Sequence, residues 1–231
     1  MRAVAGVAVL VAVATVCLSA TPSPRSDAPS AIAQQFLDRI DLPPVSYRAM
    51  RRLEARTERG MSGWLEAVTE LDPIDGFRYH VVSEGGSDYI RAKVLKRVLA
   101  VEQASHQSAD RSRSALTLDN YIFGEAIRGP AGDLLVPIAP RRRTEMLVSG
   151  VIVLSPDADL LRVEGRLSKS PSVWTRRVEV VRRYGRANGV RVPIAMSSRA
   201  HVLMVGLSTF TMCIDYEHLN GAPVNMRTSC S

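Results

Sequence analysis

A chain of 231 residues, 46% of them hydrophobic, has the length and apolar content of one domain with a sizeable core. Thirty basic residues against 23 acidic ones give a formal charge of +7, yet aromatic residues make up only 5% of the chain. Basic charge without interleaved aromatics, and with no helix that presents a basic reading face, excludes the usual nucleic-acid-binding modules. Arginine outnumbers lysine 27 to 3, a bias that a GC-rich genome produces by itself.

The N-terminus, MRAVAGVAVLVAVATVCLSATPSP, has one charge at Arg2, an apolar run from Ala3 to Leu18, and small residues Ser19 and Ala20 before a Pro/Ser-rich stretch. This is the layout of a secretory signal peptide spanning residues 1–20, cleaved after Ala20, and it predicts a periplasmic protein. The competing reading is an uncleaved membrane anchor, although the run is marginal in length and lacks a basic stop on its far side. Lipidation at Cys17 is a third reading, disfavoured by Val16 where a small residue is needed. Loss of Arg2 lowers the charge to +6. It leaves Cys213 and Cys230 in an oxidising compartment, where a disulfide between them would tie the C-terminal tail to the last long strand.

Residues 21–29 read as a flexible spacer and 30–231 as one domain. In SAIAQQFLDRIDL, Ile32, Phe36 and Ile40, flanked by Ala33 and Leu37, mark one face of an amphipathic helix that Pro43-Pro44 ends. The period then changes to two: Tyr47, Ala49, Leu53 and Ala55 alternate with Arg48, Arg52, Glu54 and Arg56. MSGWLEAVTEL follows as the hairpin partner, and FRYHVV places Phe77, Tyr79 and Val81 together. After Gly85-Gly86, Ser87 or Asp88 caps a helix with a stripe of Ile90, Val94, Val98 and Val101, widened by Leu95 and Leu99. SHQSADRSRSALT reads as a polar loop.

From Asn120 onward, apolar alternating runs separated by turn residues predict consecutive strands on short connections, hence an antiparallel sheet. The expected fold is α+β and mainly antiparallel β, with two helices and roughly nine or ten strands by the strand-and-turn pattern. Asn188-Gly189 is a hairpin turn. On either side of it, in RVEVVRRYGRANGVRVPIAM, the arginines are expected on the solvated face of a one-sided sheet. The Arg141-Arg142-Arg143 run reads as a solvated turn, or as a contact with an anionic membrane surface.

Catalytic patterns are missing. There is no G-x-S-x-G elbow, no H-E-x-x-H and no C-x-x-C, so neither enzymatic activity nor a metal or cofactor is expected. His80 and His201 fall on predicted solvent faces, His106 in the polar loop, and His218 at the end of the last strand. Gly85-Gly86-Ser87 before a helix could hold an anion on free backbone N–H groups, or be a simple strand-to-helix turn.

Two stretches resemble the LolA-like, or outer-membrane lipoprotein-sorting, group. These are LLVPIAPRRRTEMLVSGVIVL, with Gly150 before an apolar strand, and DLLRVEGRLSKSPSVW, where Leu161 to Gly165 follow the Pro156-Asp157 turn. The resemblance implies a strongly curved incomplete β-barrel closed over by two helices. Its inner face would hold lipid or lipoprotein acyl chains; by the strand-face reading above, the residues expected to line it are Trp64, Phe77, Tyr79, Val178, Val180, Ile194, Met196, Met204, Phe210 and Met212. The resemblance implies a carrier with a role in lipoprotein sorting, and the chain is expected to be a monomer. The alternative is an envelope interaction or sensing module whose cavity is filled by its own side chains.

Overall fold

The computed structural model describes residues 29–107, 114–171, 175–203 and 205–228. The expected signal peptide, most of the spacer, Met204 and Cys230 lie outside these residues. Cys213, buried on the last long strand, is disulfide-bonded.

The first helix, α1 (Ala31–Asp38), precedes β1 (Tyr47–Thr57), β2 (Ser62–Asp72) and β3 (Gly76–Gly86). A helical arm follows, made of α2 (Asp88–Ile90), a π-helical turn (Arg91–Leu95) and α3 (Lys96–Gln107). The remaining strands are β4 (Tyr121–Phe123), β5 (Ile127–Arg128), β6 (Leu134–Pro140), β7 (Val148–Leu154), β8 (Leu160–Leu167), β9 (Thr175–Ala187), β10 (Val190–Val202), β11 (Gly206–Leu219) and β12 (Ala222–Met226). Among the described residues these twelve strands form one curved sheet, ten of them in the order β3-β2-β1-β11-β10-β9-β8-β7-β6-β4, with β12 paired on β11 and β5 on β6; it does not close on itself. Pairing is antiparallel throughout.

Local chemistry explains the turns. Asn188 and Gly189 both have positive φ (48° and 78°), the conformation a two-residue hairpin turn between β9 and β10 needs and these residues tolerate. Asn220 and Gly221 repeat it (49° and 79°) and fold β12 back onto β11. β10 leaves β11 beyond the Ala195–Cys213 pair, and β12 pairs with β11 at Tyr216 to Leu219, where β10 no longer does.

One face of the sheet is covered in two places. The helical arm packs on β1–β3 and β11, where Ile90, Leu95 and Leu99 join Leu53, Leu65, Phe77 and Ile214 in a first core. Ser87 caps this arm, its hydroxyl accepting from the Ile90 N–H at 3.5 Å. The expected stripe of Ile90, Val94, Val98 and Val101 is only partly met, because the π turn adds a residue and moves burial to Ile90, Leu95 and Leu99. The arm also runs to Gln107, so Ser105 and His106 are helical and not in a loop. On the other flank, Ala33 and Phe36 of α1 bury against Phe123, Ile138, Ile152 and Leu160 in a second core. Here α1 stops at Asp38, and Ile40, expected on its buried face, is 89% exposed.

The arginines divide between the two faces. Arg48 pairs with Glu70 and Glu217, Arg52 with Asp215 at 3.1 Å, and Arg166 with Glu179 at 3.4 Å, the outer-face ladder the alternation predicts. Arg186 and Arg191 correct the expectation, since they belong to the face that α1 covers. Arg186 donates to Asp159 at 2.7 and 2.9 Å and to Asp41 at 3.0 Å. Arg191 reaches Asp41 at 2.9 Å and lies over the Phe36 ring at 5.5 Å. These contacts clamp the end of α1 to the sheet.

The hydrogen bond from Arg186 holds the Asp159 carboxyl below its usual pKa. A depressed carboxylate contributes stability above its unfolded value of about 3.9 and loses it as pH falls through the folded value. Asp159→Asn is therefore expected to lower stability by about 2 kcal/mol at neutral pH. The gap from wild type should close in strong acid; urea unfolding midpoints across pH test it, and a gap independent of pH would refute the clamp.

Candidate functional site: a cavity between two cores

Among the described residues no helix covers the concave face between the two cores, and a cavity of about 400 Å³ opens there. Val98, Val101, Glu102, Ser105 and His106 of α3 form one wall, Ser114 and Met146 the rim, and Arg51, Arg182, Pro193, Met196, Met212 and Ile214 the sheet. Val101 (51% exposed) and Met146 (44%) leave apolar surface open at the edge.

The strand register builds its floor. Leu65, Leu53, Met212, Met196, Arg182, Val163, Ile152 and Val136 lie directly opposite one another on eight successive strands. Side chains at directly opposed positions share a face, so this is one lateral row, apolar except at Arg182. Arg182 is exposed, and the surface it presents lines the cavity. The adjoining Tyr184 phenol raises its pKa further above an already basic value, against the opposing effect of burial.

The neighbouring row holds a second arginine, Arg51, between Ala67 and Ile214. Its guanidinium is 2% exposed and grips Glu102 of α3 through two bonds of 2.5 and 2.9 Å. It also donates to the Tyr47 hydroxyl at 2.9 Å and lies 5.2 Å from the Phe77 ring centre. His106, one helical turn beyond Glu102, stacks on Phe77 with ring centres 5.2 Å apart. Burial alone would lower the Arg51 pKa, but the bond to Glu102 raises it overall, so Arg51 stays charged. Burial pushes the Tyr216 phenol well above its ordinary range, and its hydroxyl donates to the Pro193 carbonyl at 3.0 Å.

Of the residues expected to line a cavity, Met196 and Met212 do so. Phe77 and Tyr79 pack in the first core, with Phe77 beneath Arg51 and His106. Val178, Val180 and Phe210 lie in two neighbouring rows of β9–β11, Val180 and Phe210 both opposite Ser198 and Val178 opposite Ala200. Trp64 points the other way: it shares register with Glu54, is 45% exposed, and packs on Gly85, where an added Cβ would meet the indole at 2.8 Å. Ile194 is displaced by a bulge in β10 after Pro193 and packs against the first core beside Gly185 of β9, outside the cavity lining. Met204 lies outside the described residues.

Other candidate features are consumed by structure. The Ser87 N–H donates to the Ser62 carbonyl at 2.8 Å, so the Gly85-Gly86-Ser87 turn has that donor occupied. Arg141, Arg142 and Arg143 are exposed but hydrogen-bond to Leu118 O, Asn120 Oδ1 and Ser168 O at 2.7, 2.7 and 3.2 Å, stapling the β6–β7 turn. Among the described residues no three His, Cys, Asp or Glu side chains gather as metal ligands, and no helix is long and apolar enough to cross a membrane.

No known protein family pattern matches the chain, and neither does any curated protein sequence. Among solved structures the chain is similar to a LolA superfamily protein from Nitrosomonas europaea, at 8% identity and a TM-score of 0.38, over 78% of this chain and 89% of that one. It is also similar to lipovitellin, in a structure concerned with lipid–protein interactions, at 9% identity and a TM-score of 0.31. That match covers 82% of this chain but spans only 27% of the lipovitellin chain.

The polar latch has a measurable consequence. Glu102→Ala leaves the Arg51 charge buried and uncompensated, which is expected to cost about 3 kcal/mol of stability. Replacing both together, Arg51→Met with Glu102→Leu, should recover most of the loss. A Glu102→Ala protein that unfolds at the wild-type denaturant concentration would refute the latch.

Proposed function

We propose that this protein is an exported, non-catalytic binder of lipid or lipoprotein acyl chains, taken up in the cavity between its two cores. The observation that carries the reading is the gap itself. Two helical covers meet the sheet on its flanks, and the apolar floor between them is left to the cavity. Its volume lies within the range of small-ligand sites, and its walls are mostly aliphatic or thioether side chains. Met146, Met196 and Met212 give those walls an adaptable surface.

Burial of an acyl chain contributes about 0.8 kcal/mol per methylene, enough for useful affinity with no catalytic group. Export rests on residues 1–20, with the mature chain beginning at Thr21. A role in passing acylated proteins between envelope membranes is the finer form of the same proposal.

The deciding experiment is native mass spectrometry of the mature protein from a periplasmic extract, followed by solvent extraction. The expected result is a discrete adduct of lipid mass, reduced in a Ser105→Phe variant that fills the cavity from α3. A protein that remains unliganded after incubation with phospholipid vesicles and with a synthetic acylated peptide would overturn the reading.

A further inference from the structure

Resting on the reading that the cavity holds an acyl chain, we propose that Arg182 selects the head of that chain. The ligand is a single-chain amphiphile whose compact anionic group, a carboxylate or a phosphate monoester, pairs with the Arg182 guanidinium at the cavity wall.

Position is the first argument. Arg182 interrupts an otherwise apolar row, with Met196 opposite it on one side and Val163 on the other. Arg182 is exposed at this position, so its guanidinium is open to whatever enters the cavity.

Charge balance is the second. Among the described residues no carboxylate lies within ion-pair distance of Arg182; it makes a long contact to Met196 Sδ at 4.0 Å and lies beside the Tyr184 phenol. Glu102, the carboxylate on the facing cavity wall, is already held by two bonds from Arg51. Arg186, two positions along the same strand, shows the contrast, since it is spent on Asp159 and Asp41. Glu102 still acts on Arg182 through space, but among the described residues the charges on the cavity wall, Arg51, Arg182 and Glu102, sum to one positive charge, beside Met196 and Met212. That complements a head with one anionic group. A zwitterionic head would bring a second cation to a wall whose carboxylate, among the described residues, is already held by Arg51.

Tyr184 gives the head a neighbouring hydroxyl, and a planar guanidinium binds carboxylate or phosphate oxygens through two parallel N–H donors.

The test compares palmitic acid, cetyl phosphate and cetyl alcohol by isothermal titration against the full mature protein and its Arg182→Gln variant at neutral pH. The acid or the phosphate is expected to bind about tenfold more tightly than the alcohol, and the variant should lose that preference while still binding the alcohol. Preference for the acid over the phosphate, or the reverse, identifies which anionic head the site takes. Equal binding of all three to the wild type would overturn the anchor and leave the acyl-chain cavity standing. Binding of none would overturn the cavity reading as well. A preference that survives in Arg182→Gln would place the anion elsewhere and reject the proposal. An unchanged denaturation midpoint for the variant separates a lost anchor from a damaged fold.

Discussion

A one-sided antiparallel sheet needs a second layer over its apolar face, and the supply of helix here is small. Eight residues of α1 cover one flank, and the arm ending in α3 covers the other. The middle strands, β9 and β10, lie between the two covers. Every functional feature of the molecule follows from that shortage: the divided core, the cavity, its exposed methionine and valine at the rim, and the presence of arginine on a face that would otherwise be dry.

Charge on the concave side then does three different things. At Arg186 and Arg191 it fastens the end of α1 across strands β8 to β10. At Arg51 it fastens α3 to β1 through Glu102. At Arg182 it makes no ion pair among the described residues and lines the cavity instead. The outer face obeys simpler rules, with arginines answered by carboxylates on neighbouring strands, where water screens each pair and no single one matters much.

Much of the architecture was readable in the sequence. Period-two alternation located β1 to its ends, and Asn188-Gly189 fixed the longest hairpin through its positive φ angles. The site was less legible, for a specific reason. Arg51 is in step with Tyr47, Ala49, Leu53 and Ala55, and Arg182 is in step with Val178 and Val180. Parity therefore placed both on the inner face, but a charged residue is read as solvent-facing unless parity is allowed to overrule it. Trp64 failed in the opposite sense: its size argued for the interior while its register with Glu54 put it outside. Ile194 was displaced by a β-bulge that no alternation pattern reveals. His106 was lost with the helix end, because polar residues in the last turns of α3 look like a loop.

The π-helical turn over Arg91–Leu95 sets the phase of everything after it. Each residue of an α-helix turns the chain by about 100°, so the one extra residue in this turn decides which side of α3 meets the sheet. With it, Leu99 goes inward, Val101 comes to the rim, and Glu102 arrives opposite Arg51. The composition of α3 alone would not choose among those faces. The count of residues upstream does, in the way that a gear tooth fixes the position of a wheel it does not touch.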